Sequence, residues 1–246
     1  MREDGAGVHE PADERAGQAA LKRQAGEAAA ALVTSGMRLG LGTGSTADEA
    51  TRAIARRLAD GRLRNIVAVT TSRATEQLAA SLAIPLSTLA ETPALDLAID
   101  GADEIDPRLD LVKGLGGALV REKIVACAAA RFVVVADASK CVQRLGDRAP
   151  LPVAVLPFAW QTHLAALRSL GAEPTLRLGP DGEAVVTDDG LLVIDARFPH
   201  GIIDPRGLDA ALRARPGIVA SGLFLDLAAQ AIIAGSDGVE ERVARR

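Results

Sequence analysis

The stretch "MRLGLGTGSTADEATRAIARRL", Met37–Leu58, decides the fold of this chain. Its first residues, Met37–Leu41, form a short apolar run that is typical of a buried strand. The segment 42–46, "GTGST", then predicts a tight turn, and Ala47–Leu58 has the composition of a helix. Because a strand that passes through a glycine turn into a helix is the basic unit of α/β proteins, we expect the alternation to continue along the chain.

Strand and helix patterns alternate on both sides of that unit. An alanine-rich helix is predicted before it, from Ala19 to about Ser35, ended by Gly36. The elements predicted after it are strands at Ile66–Thr70, Leu95–Ile99 and Phe132–Ala136 and helices at Arg73–Ser81 and Ala118–Ala130. These strands are continuously apolar rather than alternating, which favours a parallel sheet covered by helices on both faces. The sequence therefore predicts an α/β fold.

The pattern changes after Pro150, where proline and the turn signals "PDG" and "DDG" separate shorter elements. The predicted elements there are strands at Val153–Leu156, Leu176–Leu178, Ala184–Thr187, Leu191–Ala196 and Ile218–Ala220, and helices at Trp160–Leu170 and Leu208–Arg213. We expect a small α+β domain at residues 149–218, inserted into a larger domain of residues 19–148 and 219–246. The tail "LDLAAQAIIAG" predicts a last strand of the larger domain. Residues 1–18 are polar, lack the apolar segment of a signal peptide and are expected to be a disordered extension.

Composition excludes several classes of function. The net charge of −4 gives no basis for binding nucleic acid or an anionic membrane. Apolar residues make up 48% of the chain, but none of their runs reaches the roughly 20 residues of a membrane span. Two cysteines, Cys127 and Cys141, form no disulfide framework, so we expect a reducing, cytoplasmic location. The three histidines have no ligand spacing, so we expect no metal.

The glycine turn after the first strand is the first of three strand ends that carry chemistry, since ligands of open α/β sheets bind beyond the carboxyl ends of the strands. Its glycines leave backbone N–H groups exposed, Ser45 and Thr46 add hydroxyls, and the next helix presents its N-terminus. This pattern indicates an anion site, and phosphate is the anion that we expect there. It is neither a P-loop nor the dinucleotide fingerprint, and an ordinary capped turn is the alternative.

The second strand end lies in "LAIDGADEIDPRLDLVKGLGGALVREK", residues 97–123. Asp100 follows an apolar run directly and Asp103 comes three residues later, so both are expected at the mouth of the sheet. Lys113 precedes glycines and is expected to form a second phosphate loop, to organise the carboxylates or to polarise a sugar oxygen. Glu122 falls in the first turns of the next helix, where it can face the same cleft or lie on a solvated surface. Asp106 and Asp110, which flank Pro107, are expected to form a solvated turn.

The third strand end, "FVVVADASK", places Lys140 after a buried strand as a candidate partner for phosphate. Together the three ends hold carboxylates, lysines and anion sites, with neither a histidine cluster nor a cysteine nucleophile. That set suits proton transfer by a carboxylate between adjacent carbons of a phosphorylated, polyhydroxylated substrate.

Five motifs in register resemble the ribose-5-phosphate isomerase type A family. They are "ALKRQAGEAAAALV", "GLGTGSTA", "IDGADEID", "KGLGGALVREKIVA" and "ADASK", and "LPVAVLPFAW" and "GLFLDLAAQAIIAG" extend the resemblance from about Ala20 to the end. The resemblance implies a Rossmann-like large domain with a small α+β, ferredoxin-like lid domain, and a homodimer or homotetramer. It implies interconversion of ribose 5-phosphate and ribulose 5-phosphate through an enediol(ate) in the pentose phosphate pathway, without metal or organic cofactor.

The resemblance also implies roles for single residues. Glu122 is the base that moves the proton between C2 and C1, and Asp100, Asp103 and Lys113 assist ring opening, bind hydroxyls and stabilise charge. The implied substrate-binding residues are Thr43, Gly44, Ser45, Thr46, Gly101, Ala102, Gly114, Leu115, Gly116, Lys22 and Lys140. The lysines Lys22 and Lys140 are implied to bind the phosphate.

One departure from the family stands out: Leu115 interrupts the glycine run after Lys113 as "KGLGG", and a leucine there is strained if the position needs a positive φ. Two other classes of function remain open. A sugar-phosphate sensor of related fold binds without turnover, but it is expected to carry a helix-turn-helix for which the segment before Ala19 is too short and too acidic. A CoA transferase uses a glutamate as nucleophile, and the Asp100 and Asp103 pair with Lys113 fits sugar oxygens better than a thioester.

Overall fold

The computed structural model describes residues 12–244 of the chain. Its helices are α1 (Ala12–Ala31), α2 (Ser45–Ala59), α3 (Arg73–Ser81), α4 (Leu119–Ala128), α5 (Thr162–Ser169) and α6 (Pro205–Arg213). Its strands are β1 (Arg38–Leu41), β2 (Val67–Thr70), β3 (Leu97–Gly101), β4 (Glu104–Ile105), β5 (Leu111–Val112), β6 (Phe132–Asp137), β7 (Leu151–Val155), β8 (Glu173–Leu176), β9 (Leu192–Arg197), β10 (Ile218–Ser221), β11 (Leu223–Phe224), β12 (Gln230–Gly235) and β13 (Gly238–Val243).

A six-stranded sheet in the order β13-β12-β6-β3-β1-β2 forms the centre of the larger region. All neighbouring pairs are parallel except β12 and β13, which form an antiparallel hairpin. Helices α1, α2 and α3 pack on one face of the sheet and α4 packs on the other, so the central strands are buried on both sides. The predicted α/β fold with a Rossmann-like parallel sheet is confirmed.

A four-stranded antiparallel sheet in the order β10-β7-β9-β8 forms the second region. Its chain order is strand, helix, two strands, helix, strand, which is the ferredoxin-like arrangement that the family resemblance implies. Helices α5 and α6 supply Leu167, Leu208 and Leu212 to a core shared with β7 and β9. The limits at residues 149 and 218 stay predictions, and β10 continues to Ser221.

A short three-stranded sheet, β11-β5-β4, links the two regions and corrects one expectation. Asp106 caps its turn as expected, accepting hydrogen bonds from the N–H groups of Arg108 and Asp110. Asp110 itself is buried rather than solvated: its carboxylate accepts a hydrogen bond from the Asp226 N–H and lies 3.2 Å from the Arg206 guanidinium. The prediction of a wholly solvated turn is therefore wrong, because segments distant in sequence cover this aspartate.

Three local predictions also differ from the structure. Helix α1 begins at Ala12 instead of Ala19, because the alanine-rich, helix-favouring composition extends upstream. The expected disorder is therefore wrong for residues 12–18, and the rest of that prediction, residues 1–11, lies outside the described residues. The segment 184–187 makes isolated bridges instead of a regular strand, and β13 was not predicted because its exposed residues lack an apolar run. None of the helices within residues 12–244 has the length and apolarity needed to cross a bilayer.

Candidate active site

Asp100, Lys113 and Glu122 meet beyond the carboxyl end of β3. Asp100 ends the buried part of β3, Lys113 follows β5 directly, and Glu122 lies in the first turn of α4. The Lys113 Nζ lies 3.1 Å from Asp100 Oδ2 and 3.3 Å from Glu122 Oε1 and donates a 2.6 Å hydrogen bond to the Gly101 carbonyl. All three side chains are buried. The structure thus brings together three of the four predicted catalytic residues around one ammonium group.

The three side chains form a charge cluster that one ammonium cannot neutralise. Burial raises the pKa of Glu122 to about 8, against the opposing effect of Lys113. Burial likewise raises the pKa of Asp100. For Lys113, burial disfavours the charged form, but the surrounding carboxylates outweigh it and the pKa is raised. Lys113 therefore keeps its charge, and burial favours the protonated form of the two carboxylates.

Two carboxylate oxygens of this cluster are without a hydrogen-bond donor among the described residues. They are Glu122 Oε2 and Asp100 Oδ2, the second of which contacts the Lys113 ammonium only as an ion pair. Asp100 Oδ1, by contrast, accepts hydrogen bonds from the N–H groups of Thr43 and Gly101. Asp100 is thus held in place through one oxygen, while Glu122 Oε2 is buried without a donor from the described residues.

Asp103 and the glycine loop, residues 114–117, lie next to the cluster. The Asp103 carboxylate accepts a 2.9 Å hydrogen bond from the Leu115 N–H. Gly114 and Gly117 have φ values of 104° and 84°, whereas Leu115 is not among the residues with positive φ. The strain considered for Leu115 is therefore absent, because the left-handed positions fall on the flanking glycines. The Leu115 side chain is exposed.

The loop 42–46 lies on the other side of Asp100 and leads into α2. Gly44 precedes the helix, Ser45 opens it, and the Thr46 side chain is buried in its first turn. Gly44, at the N-cap position, has no side chain to cap the helix, so the first N–H groups of α2 have no capping side chain as acceptor. Ala102, half-buried, follows β3 on the same edge of the sheet. The start of α2 is therefore suited to binding an anion.

Sequence reasoning missed a buried hydroxyl cluster behind this loop. The Thr43 hydroxyl lies 2.7 Å from that of Thr71, 2.8 Å from that of Ser72 and 3.1 Å from that of Thr75. Thr75 also donates to the Gly42 carbonyl, so the cluster fixes both the side chain and the backbone of the loop. The only signal in the sequence was the polar "TTS" after the second strand, which also fits a helix cap.

Lys22 and Lys140 approach the same edge of the sheet from two directions. Gly26 packs so closely on α2 that a Cβ there would lie 2.6 Å from the Ala50 nitrogen. Since α1 precedes β1 and α2 follows it, the two helices run in the same direction, and Lys22 lies one turn nearer the start of α2. Lys140 lies in a 3₁₀ turn directly after β6. Neither lysine forms an ion pair with the described residues.

The ferredoxin-like region contributes contacts that the sequence did not indicate. Arg177, after β8, donates hydrogen bonds of 2.9 and 2.8 Å to the carbonyls of Gly114 and Leu115. Arg121, next to Glu122 on α4, forms an ion pair with Asp189 in the turn before β9. The glycine loop and α4 are therefore held against the smaller region.

The side chains of the described range, residues 12–244, form no group of three or more His, Cys, Asp or Glu that could hold a metal ion. Asp100 and Glu122 both face the Lys113 ammonium.

Comparison with known proteins agrees with this geometry. Residues 67–238 match the family model of ribose 5-phosphate isomerase A, also described as phosphoriboisomerase A. The chain is 56% identical to the ribose-5-phosphate isomerase A of Roseiflexus castenholzii, over 89% of this chain and 94% of the relative. This chain belongs to the ribose 5-phosphate isomerase A family. A probable ribose-5-phosphate isomerase 2 of Arabidopsis thaliana is 48% identical over 89% of this chain and 85% of the relative.

Solved structures place the fold in the same family. A D-ribose-5-phosphate isomerase solved in complex with phospho-erythronic acid superposes with a TM-score of 0.88 at 37% identity, over 91% of this chain and 98% of that chain. The ribose 5-phosphate isomerase of Plasmodium falciparum superposes with a TM-score of 0.89 at 33% identity, over 93% of this chain and 100% of that chain. The resemblance that the sequence motifs indicated is confirmed, whereas the roles of single site residues stay predictions.

Proposed function

We propose that this chain interconverts D-ribose 5-phosphate and D-ribulose 5-phosphate in the non-oxidative pentose phosphate pathway. Membership of the ribose 5-phosphate isomerase A family supports the substrate. The observation that carries the chemistry is the position of the Lys113 ammonium between the buried carboxylates of Asp100 and Glu122. An aldose–ketose isomerisation needs a base that moves a proton between two adjacent carbons and a positive group that stabilises the oxygens as charge develops on them.

Glu122 is the base of the proposed reaction. A general base is most effective when its pKa lies near the working pH, and burial raises that of Glu122 to about 8. Its Oε2 atom has no donor in the described part of the chain, so it can accept a proton from C2 and return it to C1. Its other oxygen is fixed by Lys113, which keeps the carboxylate from rotating freely.

Lys113, Asp100 and Asp103 assist this transfer in different ways. The Lys113 ammonium stabilises negative charge on the C1 and C2 oxygens as the enediolate forms. Asp100 is held by two backbone N–H groups beside the Lys113 ammonium. It can accept a hydrogen bond from a hydroxyl of the sugar during ring opening. Asp103 is less buried and keeps one oxygen on the Leu115 N–H, leaving the other for a sugar hydroxyl.

The phosphate binds at the start of α2 in this proposal. The N–H groups of Ser45 and Thr46 and their hydroxyls supply donors, and the helix N-terminus carries partial positive charge. Lys22 and Lys140 lie on elements that reach the same edge of the sheet and have no ion-pair partner among the described residues. Two lysines without an ion-pair partner can offset the two negative charges of a phosphate dianion.

The decisive experiment replaces the base. Glu122→Gln keeps the size of the side chain but removes the proton carrier, so isomerisation should fall by several orders of magnitude while binding of ribose 5-phosphate is retained. Turnover is followed as ketose formation, and binding is measured by calorimetry with phospho-erythronic acid, the molecule bound by a structural neighbour. Near-normal turnover of the variant would refute Glu122 as the base.

The same assay separates the proposal from its rivals. A sugar-phosphate sensor would bind ribose 5-phosphate without forming ketose even as the unmodified protein. A CoA transferase would form a covalent thioester on Glu122 when given an acyl-CoA. Glu173→Gln, a change at an exposed strand position, serves as the control that should leave turnover unchanged.

We further propose that the enzyme acts as a homodimer or homotetramer in the cytoplasm. Phe158 is 89% exposed, and the exposed side chains of Leu156 and Val219 lie on the adjoining strand ends. These apolar side chains support a contact with another subunit at this surface. Both cysteines are free, which suits a reducing compartment. Light scattering of the protein and of Phe158→Asp tests the assembly: equal monomeric masses would contradict it.

A further inference from the structure

The Arg177 guanidinium reaches from the ferredoxin-like region to the glycine loop of the active site. One of its nitrogens, Nη1, donates to the carbonyls of both Gly114 and Leu115, at 2.9 and 2.8 Å. Its Nε donates a 2.8 Å hydrogen bond to Asp195, and its Nη2 donates to the other oxygen of the same carboxylate. Arg177 and Asp195 are both mostly buried. The guanidinium is therefore fixed on one side by a carboxylate and on the other by two peptide carbonyls.

These contacts fix the orientation of two successive peptide groups. In a trans peptide the N–H points opposite to the carbonyl of the preceding residue. Since the carbonyls of Gly114 and Leu115 both point to Arg177, the N–H groups of Leu115 and Gly116 both point away from it. The Leu115 N–H reaches Asp103, at 2.9 Å. The Gly116 N–H makes no hydrogen bond within residues 12–244.

We propose that Arg177 is a positioning residue that holds the Gly116 N–H ready to donate to an oxygen of the substrate and keeps Asp103 on the Leu115 N–H. The Leu115 N–H already donates to the Asp103 carboxylate, so the Gly116 N–H is the donor of this loop that is left for an oxygen of the substrate. The Lys113 ammonium precedes this loop directly, so both can act on the charge that develops at the sugar oxygens. This role rests on the proposed isomerase function.

A matched control lies on the same sheet. Arg197, at the end of β9, also donates to two main-chain carbonyls, those of Asp147 and Arg148, in a loop outside the cluster described above. Arg177→Gln and Arg197→Gln therefore remove the same number of arginine–carbonyl contacts from the same region. Arg197 is exposed, whereas Arg177 is mostly buried and paired with Asp195, so the unfolding midpoint of each variant is measured together with its kcat to separate lost stability from a lost active-site contact.

We expect Arg177→Gln to lower kcat on the order of 100-fold with a smaller change in KM, since displacing a group that meets the transition state costs about this much. Arg197→Gln should keep kcat within about twofold of the unmodified protein, because substitutions of surface residues away from the site usually have small effects. Asp195→Asn should lower kcat in the same direction as Arg177→Gln. Millimolar methylguanidine should restore part of the activity of Arg177→Gln, because it can donate to the two vacated carbonyls.

Amide hydrogen exchange provides a readout that does not depend on turnover. Exchange of residues 114–117 should be faster in Arg177→Gln than in the unmodified protein and unchanged in Arg197→Gln. If the unmodified protein formed no ketose, the isomerase function would fail while exchange could still support the role of Arg177 in the loop. If Arg177→Gln failed to fold, Arg177→Lys, which keeps the charge but cannot make the planar fork, would take its place. Equal kcat losses in the two arginine variants, or unchanged exchange of the loop, would overturn the proposal.

Discussion

Replacing Glu122 by glutamine should stabilise the protein at alkaline pH, because the active-site cluster holds an uncompensated charge there. With Asp100 and Glu122 both ionised, the single ammonium of Lys113 leaves one buried negative charge. Burial raises the pKa of Glu122 from 4.5 to about 8. At about 1.36 kcal/mol per pKa unit, ionising this side chain in the folded protein costs roughly 5 kcal/mol more than in the unfolded chain.

The sign of the effect follows from proton binding. Between pH 4.5 and about pH 8 the folded state holds a proton on Glu122 that the unfolded state has lost, so stability falls as the pH rises through this window. At pH 5 most of the stabilisation from the bound proton is present, and at pH 9 it is lost. Over this range the free energy of unfolding should fall by about 4 kcal/mol through Glu122 alone. Glu122→Gln removes that dependence.

The assay is urea unfolding of the unmodified protein and of Glu122→Gln at pH 5 and pH 9, at one protein concentration. The buried amide of the variant has its own cost of about 1–3 kcal/mol, but that cost is the same at both pH values. The informative quantity is therefore the change with pH in the stability difference between the two proteins. We expect it to favour the variant by a few kcal/mol more at pH 9 than at pH 5, whereas Glu173→Gln should show no such change. If the stability difference between Glu122→Gln and the unmodified protein changed by less than about 1 kcal/mol between pH 5 and pH 9, the buried, uncompensated carboxylate would be refuted.

Three further predictions concern the same site. Lys113→Gln should raise the pKa of Glu122 further and Asp100→Asn should lower it, because Lys113 favours and Asp100 disfavours the ionised form of Glu122. ¹³C NMR of the Glu122 carboxyl measures its pKa in each variant, and shifts in the same direction would contradict the prediction. Isomerisation should be unchanged by EDTA, and loss of activity restored by a divalent ion would contradict a site based on Lys113. Gly42→Ala should lower kcat/KM on the order of 100-fold, since its Cβ would lie 2.1 Å from Asp100 Oδ1, while Gly17→Ala, with open space around it, should match the unmodified protein in the same assay.

The parts of the fold that sequence could predict are those governed by local pattern. Helix α3 has the predicted bounds, Arg73–Ser81, because a serine cap precedes it and a regular apolar face runs through it. The convergence of Asp100, Lys113 and Glu122 was also predictable, because each follows an apolar strand or a glycine turn on the same edge of the sheet. Here the local pattern and the tertiary contacts give the same result.

The parts that sequence could not predict depend on contacts between distant segments. The burial of Asp110 depends on Asp226, 116 residues later, and the position of the glycine loop depends on Arg177, whose hydrogen bond to Gly114 spans 63 residues. An aspartate three residues after a proline, or an arginine directly after a short strand, has no local signature that distinguishes these roles from a solvated surface. For Leu115, local reasoning raised a question of backbone strain. The structure answers it, because the positive φ values of this loop fall on Gly114 and Gly117 and not on Leu115.

The returning C-terminal segment packs against two lysines at the site. Phe224, fully buried in β11, lies beneath two lysines, with Lys113 Nζ at 5.4 Å and Lys123 Nζ at 4.8 Å from its ring. Lys123 donates hydrogen bonds to the carbonyls of Ser221 and Leu223, so this segment is attached to α4 beside Glu122. An aromatic ring attracts a cation without adding a negative charge. Phe224 can therefore support the Lys113 ammonium while leaving its charge available to the carboxylates and the substrate, which a third carboxylate at that position would not do.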